Sequence, residues 1–68
     1  SNADRSCRLT SRELQIADLV AQGLTNAEIG AELWITENSV KQALKRIFRK
    51  LDVSSRAQMV ARSLECRS

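Results

Sequence analysis

Between Lys41 and Lys50 the sequence places five basic residues and no acidic one, with Gln42 among them and Asn38 just ahead. Ammonium and guanidinium groups neutralise phosphates or donate to guanine O6 and N7, and Gln and Asn amides pair bidentately with adenine. These residue types together suit duplex nucleic acid. A solvated helix face could carry the same cations, but such faces usually interleave both signs for i,i+4 support, and this stretch does not. From Glu13 to Glu37 the pattern reverses, with five acidic residues and no basic one. The formal net charge of +3 is therefore a weaker pointer to an anionic partner than the way the charge is distributed.

No other chemistry has a comparable constellation. Cys7 and Cys66 lie near opposite ends of a chain without histidine, and neither belongs to a Cys-x-x-Cys pair. That argues against a metal site, a disulfide framework or an activated nucleophile. Two free thiols are the expectation, with a Cys66 to Cys66 link between two copies as the alternative. The carboxylates fall at helix starts or at exposed spacings, and no Gly-rich phosphate loop is present. The reading is of a non-enzyme with no cofactor and no metal. No run of 18 apolar residues could span a bilayer, and two free thiols fit a reducing compartment, so the expected location is the cytoplasm.

The cations need an element to hold them. At about 100° per residue, Val40, Leu44, Ile47 and Leu51 form one narrow stripe with Phe48 beside it. Asn38, Lys41, Gln42, Lys45, Arg46 and Arg49 fall on the opposite face, so this is a helix with one buried side. Lys50 points away from the cationic face and would balance the C-terminal end of the helix dipole. Helix starts recur in nearly the same words at Leu9-Thr10-Ser11-Arg12-Glu13-Leu14, Leu24-Thr25-Asn26-Ala27-Glu28-Ile29 and Ile35-Thr36-Glu37-Asn38-Ser39-Val40. In each, Thr can cap the helix and the flanking apolar pair can staple it, and Glu13 and Glu28 can close capping boxes.

The first helix is expected over 11–22, burying Ile16, Leu19 and Val20 and ending at Gly23. The second spans 26–33, the third 37–50, and the fourth 55–65, its cap ambiguous between Ser54 and Ser55. Only Trp34 and Ile35 separate the second helix from the Thr36 cap, which suits two helices crossing steeply. Gly30 would let the third helix approach closely, with Val40 as the contact. The fold class is all-α, a four-helix domain with a central helix-turn-helix. In the fourth helix Ala57, Val60, Ala61 and Leu64 make the expected inward stripe. Met59, Arg62, Ser63 and Cys66 remain on other faces, which either complete a small core or meet a second copy across a two-fold axis. Ser1-Asn2-Ala3 reads as the remnant of an expression tag, residues 4–8 as a flexible lead and residues 9–66 as the domain.

Leu9-Thr10-x-Arg12-Glu13, Gly23-Leu24-Thr25-Asn26-x-Glu28-Ile29, Leu33-x-Ile35-Thr36, Ser39-Val40-Lys41, Lys50-Leu51-x-Val53 and Ser55-Arg56 resemble the C-terminal DNA-binding domain of the LuxR-type transcription regulators. The likeness runs without gaps from about Leu9 to Leu64. It implies a bacterial transcription factor, including response regulators, that dimerises through its fourth helix on inverted repeats. It also implies that Lys41, Gln42 and Lys45 face base edges. Asn38, Arg46 and Arg49 would position the helix on phosphates, and Thr36 would do so through the helix N-terminus. RNA polymerase is a further implied partner. The sequence departs from the family at Ala43, where His is common, at Asp52, where Gly or Asn is common, and at Gly30, where Ala is usual. Arg12 and Arg56 read as structural, pairing with carboxylates. Two other readings stay open. One is a protein-interaction module whose basic helix meets an acidic partner such as a sigma factor or receiver domain. The other is a helix-turn-helix like that of sigma-factor region four, which would not dimerise.

Overall fold

The computed structural model describes residues 8–66, and among them it forms four helices and no strand. They are α1 (Ser11–Ala21), α2 (Asn26–Leu33), α3 (Glu37–Leu51) and α4 (Arg56–Cys66). The expected all-α, four-helix architecture is observed, with each boundary within a residue of its expected place. Residues 1–3 and the lead as far as Cys7 lie outside the described residues.

The recurrent starts act as caps. Thr10 Oγ1 accepts the Glu13 N–H at 3.1 Å while Glu13 Oε1 accepts the Thr10 N–H at 2.9 Å. Thr25 and Glu28 repeat the exchange at 3.1 and 2.8 Å. At α3 the third position is Ser39 instead of Glu, so the box is open on one side: Thr36 Oγ1 accepts the Ser39 N–H at 3.0 Å and donates to Ser39 Oγ at 2.9 Å. Ser55 caps α4 by accepting the Gln58 N–H, and Gln58 Oε1 accepts the Ser54 N–H. Each Thr or Ser cap contributes about 1 kcal/mol.

Among the described residues ten apolar side chains are buried, and α3 supplies half of them: Val40, Ala43, Leu44, Ile47 and Leu51. Ile16, Ala17 and Val20 meet them from α1, Ile29 from α2 and Met59 from α4. Leu19, expected inside, is only partly buried at the edge of this core, and Ala17 takes the inner position. The central helix touches all three others. One face of α3 is thereby fixed from every side, and the opposite face is left in solvent.

The face assigned to α4 is corrected. Met59 is completely buried and Ser63 nearly so, while Ala57, Ala61 and Leu64 of the expected inward stripe are exposed and Val60 lies between. The helix buries its largest apolar side chain, since burial free energy follows area and two alanines carry little. Ser63 can follow Met59 inside because its hydroxyl donates to the Val60 carbonyl at 2.9 Å, which removes the cost of an unpaired polar group. Of the four residues expected at a dimer surface, Met59 and Ser63 are therefore unavailable, Arg62 is exposed, and Cys66 is half-buried. Cys66 is also disulfide-bonded, which corrects the expectation of a free thiol there. Spacing along the sequence did not register that α4 returns alongside α1. Cys7 lies outside the described residues.

Three turns set the angles between helices. Gly23 adopts φ +93°, the left-handed stop expected after α1. Trp34 ends α2 at φ 61° and ψ 38°, and Asp52 ends α3 at φ 56° and ψ 52°. Left-handed backbone costs a residue with a Cβ roughly 1–2 kcal/mol, least for Asp and Asn. The turn at Trp34 is closed by its own N–H and that of Ile35, both donated to the Gly30 carbonyl. Gly30 is needed where it stands, but for a different neighbour than Val40. A Cβ there would come within 2.7 Å of the Ile35 carbonyl oxygen, with Glu37 N and Thr36 C at 3.4 Å. Glycine lets the backbone of the turn, more than a side chain of α3, lie against α2.

Two substitutions separate these roles. Gly30→Val should lower stability by roughly 2 kcal/mol or more in chemical denaturation, because the turn backbone must move. Trp34→Gly should be neutral to about 1 kcal/mol stabilising, the relief of left-handed strain exceeding the added unfolded-chain entropy.

Candidate nucleic-acid interface

The burial of Val40, Leu44, Ile47 and Leu51 sets the rotation of α3 about its axis. Asn38, Lys41, Gln42, Lys45, Arg46 and Arg49 are all exposed, so the structure brings six of the seven residues read as base or phosphate contacts onto one solvent face. Thr36 lies at the leading end of that face, occupied in capping its own helix. Ala43 is 3 % exposed, so the residue that stands in place of the family's common His points into the core and away from this face.

The cations do not all stand alone. Lys41 Nζ lies 4.0 Å from Glu37 on the preceding turn, both side chains more than half exposed, a pair of little energetic weight in water. At the other end of the helix Lys50 Nζ donates to Glu13 Oε1 at 2.8 Å, and Arg46 Nε lies 3.5 Å from Glu13 Oε2. Lys50, read as a counter-charge to the helix dipole, is instead one side of an ion pair with a carboxylate on α1. Arg46 keeps half its side chain in solvent and so remains able to reach outward.

Glu13 is the functional residue that sequence reasoning took for a cap alone. It is a carboxylate at 3 % exposure that simultaneously completes the α1 capping box and holds two cations of α3. Burial by itself would raise its pKa. The hydrogen bonds from Lys50, the Thr10 N–H and Arg46, with the Lys50 charge, outweigh that and hold it below the ordinary value of 4.5. The available signal was the position of Glu13 on α1: a residue facing the core side beside Ile16 and Ala17, yet ionised, must find a cation somewhere distant in sequence.

Arg56 is structural as expected, but its partners are neutral. It donates to the Leu24 carbonyl at 3.1 Å and to Asn26 Oδ1 at 3.3 Å, tying the start of α4 to the start of α2. Among the described residues no three His, Cys, Asp or Glu side chains are grouped as a metal site, and no helix is long and apolar enough to cross a membrane.

Comparison with known proteins gives the chain a family. The family model described as bacterial regulatory proteins, luxR family, matches residues 8–63. Over 50 residues, 74 % of this chain, it is 56 % identical to the transcriptional regulatory protein LiaR of Bacillus subtilis. It is 40 % identical over 60 residues, 88 % of the chain, to the CsgBAC operon transcriptional regulatory protein of Escherichia coli, and 37 % over 57 residues, 84 % of the chain, to the transcriptional regulatory protein DegU of Brevibacillus brevis. These stretches cover 24 %, 28 % and 24 % of the three relatives, so the chain spans about a quarter of their length. No solved structure matches it significantly.

The Glu13 arrangement makes a pH-dependent contribution of definite sign. A carboxylate whose folded pKa is depressed adds stability that is fully present above its ordinary value and is lost as pH falls through the folded value. Glu13→Gln should cost about 1–3 kcal/mol at neutral pH. The difference between variant and wild type should close on acidification below pH 4.5, followed by denaturant melts across that range.

Proposed function

Since the chain belongs to the luxR family of bacterial regulatory proteins, whose helix-turn-helix is the DNA-binding domain of transcription regulators, we propose that it reads a specific duplex sequence through α3 lying in the major groove. The observation that carries this reading is the division of α3 into a buried apolar stripe and an exposed face of cations and amides. A helix of this width fits the major groove, and the rigid seating of its inner face keeps the outer side chains in one register on the base edges. Lys41, Gln42 and Lys45, in the first half of the exposed face, contact bases. Asn38, Arg46 and Arg49, with the N-terminus of α3 at Thr36, contact the sugar-phosphate backbone.

A two-fold pair of such domains would place its α3 helices in successive major grooves about one helical turn apart, on an inverted repeat. The exposed stripe of Ala57, Ala61 and Leu64 on α4, with Arg62 beside it, is the surface that supports this pairing: small residues allow close approach, and Leu64 is 54 % exposed. It replaces the set centred on Met59 and Ser63. The pair acts in the cytoplasm, as the effector portion of a longer response regulator or sensor, and meets RNA polymerase at the promoter. The relatives are themselves named as regulators, and the chain matches about a quarter of each.

Selection from a randomised duplex pool across a salt series tests the reading. Wild type should enrich an inverted repeat, with a log–log salt slope of roughly −3 to −6 per domain, at about −0.9 for each neutralised phosphate. Lys41→Ala with Lys45→Ala should lose sequence preference more than total affinity, at about 1–3 kcal/mol for each base contact removed. Arg49→Ala should weaken all sequences alike and make the slope about one unit shallower. A pool that stays random for wild type would instead favour an acidic protein as the partner of the basic face.

A further inference from the structure

The two oxygens of Glu13 serve different tasks. Oε1 accepts the Thr10 N–H at 2.9 Å and Lys50 Nζ at 2.8 Å, contacts that cap α1 and tie it to α3. Oε2 is turned to Arg46, whose Nε lies 3.5 Å away. A buried carboxylate must have its charge answered, and Lys50, the closer and less exposed of the two cations, answers it. A second pair, with a side chain more than half in solvent, adds little stability. The Arg46 contact therefore matters less for holding the fold than for where it leaves the guanidinium.

Asn38, Gln42, Arg46 and Lys50 follow one another at i,i+4 along α3, a row that swings by about 40° at each step. It leads from the exposed face round to the side packed on α1. Lys50 at its end is bound to Glu13, Gln42 stands in solvent, and Arg46 lies between them. The pair with Glu13 runs through Nε, the nitrogen next to the stem, so the Nη end of the group can take another acceptor. Phosphate suits that end, because parallel N–H donors match two of its oxygens. An unrestrained arginine gives up rotamer freedom in making such a contact, and one already held by its Nε gives up less. Resting on the reading of α3 as the groove helix, we propose that Glu13 is a positioning residue for DNA binding. Its Oε2 holds Arg46 at the α1 edge of the cationic face, with the Nη end presented to a backbone phosphate. Glu13 touches no DNA itself, and through it α1 takes part in binding.

A double-mutant cycle on the 68-residue protein separates positioning from fold. Its readout is the affinity for a fluorescently labelled duplex carrying the sequence that wild type enriches, at a temperature where circular dichroism shows each variant folded. Arg46→Ala should weaken binding about tenfold and make the salt slope about one unit shallower. In the Glu13→Gln background the same change should cost only about twofold, since the arginine is then no longer held in place. In the Lys50→Met background, which lowers stability but leaves Oε2 and Arg46 together, it should again cost about tenfold. A measurement on unmutated protein stands beside the cycle: the Arg46 Nε–H resonance should exchange with solvent more slowly than that of Arg49 and stay slow when duplex is added. An Arg46→Ala cost that is equal in wild type and Glu13→Gln, or larger in Glu13→Gln, overturns the proposal, the second because Glu13 would then compete with phosphate. So does an Arg46 Nε–H that exchanges as fast as that of Arg49. Wild type that enriches no duplex takes down the reading of α3 and this proposal together, whereas enrichment with no cost of Arg46→Ala takes down this proposal alone.

Discussion

The carboxylate of Glu13 is the point on which the arrangement of helices turns. It belongs to α1, where it closes the capping box with Thr10, yet its other contacts reach across to Lys50 and Arg46 near the far end of α3. A buried carboxylate is tolerated only when its charge is answered, and removing one partner leaves the others exposed to the cost. Apolar packing resists separation of α1 and α3 but constrains their sliding less, since dispersion and burial are not directional. A directional ion pair at one end and the packing of Val40 and Ile47 further along together fix both the distance and the axial register of α3. The cationic face depends on that register, because its side chains are useful only if they reach one surface together.

Most of this fold was legible in the sequence because its signals are local. A Thr with an apolar residue before it and another five positions on specifies a helix start without reference to the rest of the chain, and the caps at Thr10, Thr25 and Thr36 form as expected. The amphipathic stripe of α3 is strong enough that tertiary context could not override it. The same stripe predicted which cations would share a face, since on a helix the exposed side is defined once the buried side is. Ala43 fell at the edge of the stripe by angle and is found in the core.

What failed to be legible was non-local or weakly patterned. In α4 the stripe of Ala57, Val60, Ala61 and Leu64 and the line through Met59 and Ser63 are close competitors, and size decided in favour of the line with methionine. That a serine accompanies it inside depends on a hydrogen bond to the i−3 carbonyl, which composition does not reveal. The ion pairs of Glu13 join residues 33 and 37 positions apart, beyond any periodic signal. Gly30 was recognised as a point of close approach, but the backbone of the turn, and not Val40, is what approaches.

Left-handed residues bound α3 on both sides, Trp34 in the turn before its cap and Asp52 immediately after its last residue. A helix stopped in this way cannot creep forward or back by a residue to accommodate a change in its contacts, and a shift of one position would swing every side chain through about 100°. The helix is in effect clocked. Divergence in what its outer face recognises must therefore come from exchanging side chains at fixed stations, the way type is changed in a press whose bed stays bolted down. The buried apolar residues beneath have no part in that exchange.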